Sequence, residues 1–137
     1  MTPTERMPMT VRRRRVLVVG VRCVIEDWLR ALGCVVLHAA SSSQALAATR
    51  TFEPDAICLD LWLEGTSGLD VLTRLQARHP MVPVILISAD PLRETTREAR
   101  ARGAFACLSK PLNGREVVRT LAAALGARRP HATAATG

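Results

Sequence analysis

The chain contains no tyrosine, two phenylalanines and two tryptophans among its 137 residues. So thin an aromatic supply leaves little for stacking on nucleic-acid bases. No apolar run approaches the ~20 residues that cross a bilayer. The opening MTPTERMPMTVRRRR has no apolar segment of the signal-peptide kind. Membrane-spanning and secreted classes are thereby set aside, and a soluble cytoplasmic protein is expected. The four cysteines, Cys23, Cys34, Cys58 and Cys107, lack the paired spacing of metal ligands. They read as small buried hydrophobes in a reducing compartment. His38, His79 and His131 are scattered, with no metal or catalytic companion at useful spacing. Gly20 begins no G-x-G-x-x-G, so dinucleotide binding has no support.

Acidic residues are also scarce, with twelve Asp and Glu against nineteen Lys and Arg for a net charge of +7. The excess sits at the ends. Residues 1–15 carry five arginines and one glutamate, residues 127–137 carry two arginines, and residues 16–126 are nearly balanced. The Arg12–Arg15 cluster could hold phosphates electrostatically, and a nucleic-acid-associated protein is kept as an alternative. A solvated leader is the plainer reading, and nucleic acid is not the expected partner. The length suits one domain, and 48% hydrophobic residues suffice for its core.

What is present is an alternation. Short runs rich in Val, Ile, Leu and Cys fall at residues 15–19, 34–38, 55–59, 82–87 and 104–108. Apolar on both sides, they read as strands of a parallel sheet covered by helices on both faces. Helices are expected at 24–32, closed by Gly33, and at 42–51, after a serine cluster suited to capping. Three more are expected at 69–78, 91–102 and 113–125. The fourth begins on Pro91, and the fifth begins on Asn113 with Glu116 three residues on. Its expected apolar face is Val117, Val118, Leu121 and Leu125. Five such βα units make one α/β domain over 15–126, with a basic leader at 1–14 and a tail at 127–137, both expected to be disordered.

Sites in such sheets lie beyond the carboxyl ends of the strands. Asp60 closes the third strand, Ser88 closes the fourth, and Lys110, followed by Pro111, stands just after the fifth. Lys110 is the single lysine beside eighteen arginines. The segments PDAICLDLWLEGTSGLDVLTRL at 54–75, VPVILISA at 82–89 and ARGAFACLSKPLNGREVV at 101–118 occur in this order and spacing. Over roughly 15–126 the chain resembles the receiver domain of bacterial response regulators. The resemblance implies a single-domain, doubly wound, flavodoxin-like sheet of five parallel strands in the order 2-1-3-4-5. It also implies that Asp60 matches the phosphoaccepting aspartate, Ser88 the switch hydroxyl and Lys110 the phosphate-pairing lysine. The Lys110–Pro111 bond is commonly cis in the family. A carboxylate can accept a phosphoryl group, whose charge Mg²⁺ and a lysine then neutralise.

The chain departs from the family where it matters most. The family's first strand runs into an acidic pair that holds Mg²⁺, whereas here it runs into Gly20, Val21 and Arg22. The loop to Gly33 is also shorter, by about one helical turn. Glu26 and Asp27 fall inside the first helix and are expected to face solvent or cap charge. Glu64 and Asp90, on other loops of this edge, could assist a metal. Arg22 or Lys110 could instead neutralise Asp60, which would then be held as a salt bridge. The aromatic often found on the fifth strand is replaced by Cys107, while Phe105, two residues earlier, is expected on the same face. Trp28 is expected in the core, and Trp62 lies on the loop beside Asp60. The fourth helix carries alternating charges and few apolar anchors.

The expected function is a degenerate, stand-alone receiver, a protein-interaction module of two-component signalling. It is not expected to be an enzyme, and its Mg²⁺-dependent phosphorylation is expected to be weak or absent. No cofactor is expected. Mg²⁺ enters only under the alternative, a working receiver phosphorylated on Asp60 by a histidine kinase. The partner is expected to be such a kinase or another signalling protein, met through helix four, strand five and helix five, or through helix one. A homodimer remains open.

Overall fold

The computed structural model of the chain describes residues 13–20, 24–63, 66–89 and 93–128. In chain order they form β1 (Arg15–Val19), α1 (Val24–Ala31), β2 (Val35–Ala39), α2 (Ser42–Phe52), β3 (Ala56–Asp60), β4 (Trp62–Leu63) and β5 (Thr66–Ser67). Then come α3 (Gly68–Arg78), β6 (Val84–Ser88), α4 (Arg93–Ala101), β7 (Ala106–Ser109) and α5 (Gly114–Arg128). The main sheet is five-stranded and parallel in the order β2-β1-β3-β6-β7. Counting only its strands, this is the expected order 2-1-3-4-5. The two-residue strands β4 and β5 form a separate antiparallel pair that the sequence reading missed.

Alternation along each strand sends side chains to two cores. Leu17, Val19, Ile57, Leu59, Val84 and Leu86 face α2, α3 and α4, where Ala45, Val71, Leu72, Leu75 and Ala99 meet them. Val16, Val18, Ala56, Cys58, Ile85 and Ile87 face α1 and α5, where Ile25, Leu29, Val117, Leu121 and Ala124 meet them. Each large aliphatic side chain buried in this way contributes roughly 1.5–3 kcal/mol. The central strands β3 and β6 are buried at every residue, as a sheet covered on both faces requires.

Local chemistry sets the element ends. Gly33, with φ +88, closes α1, while Cys34 N–H donates to the Leu29 carbonyl and Gly33 N–H to that of Arg30. Ser41 caps α2: its hydroxyl accepts from Gln44 N–H, and the Gln44 side chain accepts from Ala40 N–H. Asn113 Oδ1 accepts from Glu116 N–H at the start of α5. The fourth main-sheet strand starts at Val84 rather than 82. Pro83 has no N–H to give the ladder, although its carbonyl accepts from Ile57 N–H. The fifth helix runs on to Arg128, into the segment expected as tail.

Several side chains depart from expectation. Val118 is exposed, so the buried stripe of α5 is Val117, Leu121 and Ala124. Trp28 is half-buried and packs against the α1/α5 core. His38 is the penultimate residue of β2 rather than its end. Phe105 packs with the α1/α5 core and Cys107 with the opposite one. The expected shared face fails because Phe105 precedes the first residue of β7, so strand alternation does not reach it.

Candidate functional site

Asp60 is the last residue of β3, and its register partner on β6 is Ile87, one residue before Ser88. Ser88 in turn pairs in register with Ser109 of β7, so the carboxyl ends of three adjacent strands bring Asp60, Ser88 and Lys110 to one edge. Lys110 follows β7, joined to Pro111 by a cis peptide bond, and its N–H donates to the Ser88 carbonyl at 2.9 Å. Lys110 Nζ lies 3.0 Å from Asp60 Oδ2. The other carboxylate oxygen accepts from Trp62 N–H at 3.1 Å.

Both oxygens of Asp60 therefore have a positive or hydrogen-bonding neighbour, which a carboxylate that is only 7% exposed requires. Lys110 is far more open, so water screens the pair on one side and its net worth is modest. Ser88 is buried at the same edge.

Two glycines shape the floor. Gly20, the first residue after β1, has φ +82 and donates its N–H to the Ala39 carbonyl. A Cβ there would collide with Leu63 Cδ2 and stand 3.0 Å from Asp60 Cβ. Gly68 opens α3 against the backbone of β3's end: a Cβ would lie 2.5 Å from the Asp60 carbonyl oxygen and 2.6 Å from Leu61 Cα. Only the missing side chain lets α3 approach so closely. Neither contact was legible in the sequence, because each depends on a residue brought in by the β4–β5 excursion.

Val21, Arg22, Glu64 and Asp90 lie outside the described residues. Trp62, on β4, is 66% exposed directly beside the carboxylate it hydrogen-bonds. Cys107 is half-buried on the adjoining edge strand, with its thiol pushed up from the ordinary value by burial. Mg²⁺ demands hard oxygen ligands, with one or two protein carboxylates. Asp60 supplies a carboxylate at this edge, an ammonium already sits on it, and Gly20 offers no side-chain oxygen. No group of three or more His, Cys, Asp or Glu among the described residues could hold a metal ion. The described residues around Asp60 do not by themselves make up a set of Mg²⁺ ligands.

Two expectations are corrected away from the edge. Glu26 does not face solvent: it is largely buried, 3.5 Å from Arg30 and 4.0 Å from His38 Nε2, a buried nitrogen without a hydrogen-bond partner. The helical turn points it at β2, a neighbour that sequence spacing could not supply. Arg15 does not belong to a solvated basic cluster either. Its guanidinium donates to the Phe52 carbonyl at 2.6 Å and lies 5.5 Å from the centre of the Phe52 ring. Arg12 lies outside the described residues. Just past the end of α4, Arg102 reaches back to Glu98 of that helix at 2.9 Å and across to Asp70 of α3 at 3.3 Å. Ala99 is the one buried apolar side chain of α4 among the described residues.

The family model for the response regulator receiver domain matches residues 19–122. The DNA-binding transcriptional regulator NtrC of Salmonella typhimurium is 32% identical over 99 residues, which cover 72% of this chain and 21% of NtrC. The chain thus spans about a fifth of the length of that relative. The crystal structure of the receiver domain of NtrX from Brucella abortus is similar, with 31% identity and a TM-score of 0.77 over 81% of this chain and 98% of that one. A CheY-like receiver domain protein from Methanospirillum hungatei has the same fold, with a TM-score of 0.80 at 22% identity, over 88% of this chain and 99% of that one. No helix among the described residues is long and apolar enough to cross a membrane.

Proposed function

The chain belongs to the response regulator receiver family of two-component signalling, and from that premise we propose that it is an atypical receiver. It signals by binding another protein, and Mg²⁺-dependent phosphorylation of Asp60 is weak or absent. The observation that carries this reading is Gly20. Where the family places acidic metal ligands, the residue that follows this strand has no side chain, and Leu63 fills the space over it. Asp60 meets its charge requirement through Lys110 instead. A phosphoryl group brought to that carboxylate needs its charge neutralised in place, and one half-exposed ammonium is a weak substitute for a divalent cation.

The partner is a histidine kinase or another signalling protein. The surface proposed for it is α4, β7 and α5, with α1 as the alternative. The exposed Trp62 ring supports a contact at the adjoining edge, since a large aromatic loses little conformational entropy when it docks. A second reading, phosphoryl acceptance by Asp60 from a histidine kinase, draws on the convergence of Asp60, Ser88 and Lys110. It would need Mg²⁺ held with help from Glu64 or Asp90. Incubation of the full chain with acetyl phosphate and Mg²⁺, followed by intact mass measurement beside Asp60→Ala, separates the two. The atypical receiver gains no phosphate. Stoichiometric, Asp60-dependent addition establishes the second reading instead.

A further inference from the structure

The strand β2 ends the sheet, and no strand among the described residues pairs with its outer side. Its hydrogen bonds say which groups are left facing outward. Val35 N–H donates to the Arg14 carbonyl at 2.8 Å, and the Ala39 carbonyl accepts from Gly20 N–H at 2.9 Å. Backbone groups along a strand alternate sides residue by residue. Val35, Leu37 and Ala39 therefore turn theirs toward β1, and Val36 and His38 turn an N–H and a carbonyl each away from the sheet. Sheet edges are usually blunted by charge, proline or a bulge. The sequence VVLHA has none of these, and Val35 and Leu37 are 36% and 39% exposed.

The charge pattern around this edge is the second observation. Residues 31–49 contain no Asp, Glu, Lys or Arg, the longest such stretch in a chain that is 23% charged. The neighbouring helix α2 adds exposed Ser43, Gln44 and Ala47, all neutral. The basic excess of the chain lies outside this stretch, in residues 1–15 and 127–137, and like-charge repulsion between copies is least where the sequence itself carries no charge.

We propose that β2 is a self-association edge: two copies of the chain pair antiparallel through β2, about a two-fold axis at Leu37, and merge their sheets into one. The register follows from the outward groups. Val36 lies opposite His38 of the second copy, and each pair exchanges both backbone hydrogen bonds. Leu37 meets its own copy at the non-hydrogen-bonded position, where side chains come closest, and Val35 meets Ala39. On the face that carries Val35, Leu37 and Ala39, apolar positions thus face apolar positions on both copies, and the Val36–His38 pair repeats identically on either side of the axis, as a two-fold interface requires. A foreign peptide could use the same backbone groups, but the absence of charged residues from 31–49 and the self-complementary pattern about Leu37 favour a second copy.

Sedimentation velocity on the full chain over a hundredfold concentration range tests this. The expected result is a concentration-dependent doubling of mass. Leu37→Lys sets two ammonium groups face to face at the axis and should weaken dimerisation by about tenfold or more. Circular dichroism should show it folded, because Leu37 is partly solvent-exposed. Val36→Pro removes an outward N–H that β1 does not use and should also yield monomer. Under mild oxidation Leu37→Cys should form a covalent dimer absent from the wild type, since the expected Cα separation suits a disulfide, whereas Val35→Cys should not. A wild type that stays monomeric throughout overturns the proposal, even if the edge then accepts an extended peptide. So does a dimer that survives both Leu37→Lys and Val36→Pro, which would place the contact on another face.

Discussion

Two aspartates bracket β3, and both are buried: Asp55 just before the strand is 1% exposed and Asp60 at its end is 7% exposed. Their partners differ. Asp55 Oδ2 accepts from Arg15 N–H at 2.7 Å, while Asp55 N–H donates to the Arg15 carbonyl at 2.7 Å. That reciprocal pair joins β3 to β1 through backbone that cannot move away. Asp60 is met by a backbone N–H on a two-residue strand and by an ammonium on a flexible, half-exposed stem. The same side chain on one strand is thus a structural staple at one end and a chemically accessible group at the other. Burial alone does not separate these roles; the mobility of the partner does.

Four measurements would break or sharpen this contrast, and the largest effect is expected at Asp55. Asp55→Ala leaves a buried N–H without its acceptor and should cost about 2–3 kcal/mol in urea unfolding. A loss no larger than that of Asp60→Ala would erase the distinction. Next comes the glycine floor of the site. Gly20→Ala combines a positive φ with a collision against Leu63 and should cost about 2 kcal/mol. Gly33→Ala at the opposite edge has the strained φ but nothing within 4 Å, and about 1 kcal/mol is expected there.

The third measurement concerns Cys58, which lies on β3 between the two aspartates. Burial, with Cys34 nearby adding to it, pushes its thiol up to about 12 from 9.0. The unfolded chain therefore releases this proton first. The stability contributed by the neutral thiol is complete below pH 9 and is lost as the pH rises from there toward 12. At pH 10 the loss should be about 1 kcal/mol relative to pH 8, and Cys58→Ala should flatten that decline. The smallest effect is expected at Asp60. Asp60→Ala should alter stability by less than about 1 kcal/mol, because Lys110 can turn to water. A loss comparable to that of Asp55→Ala would make Asp60 a second staple.

Much of the fold was legible because the alternation of doubly apolar runs and capped helices is local. The boundaries moved by one to a few residues where pairing decided them, as at Pro83, and where capping decided them, as at Gly33. The hairpin of β4 and β5 was not legible, since two residues per strand carry no period. Phe105 was misplaced because the strand rule was extended past the strand. Glu26, expected to face solvent or cap charge, lies beside His38, a neighbour that another element supplies. The convergence of Asp60, Ser88 and Lys110 on one edge followed from their places at strand ends, whereas the Trp62 N–H bond and the Leu63 contact over Gly20 did not.

The sequence by itself determined the layered parallel sheet and which polar residues stand at its carboxyl edge, because hydrophobic period and capping chemistry act within a few residues. Only the tertiary structure decided which charge Asp60 faces, what fills the space over Gly20, and which backbone groups of β2 turn away from β1. Those are contacts between distant segments, and their geometry exists only once the sheet has set the register.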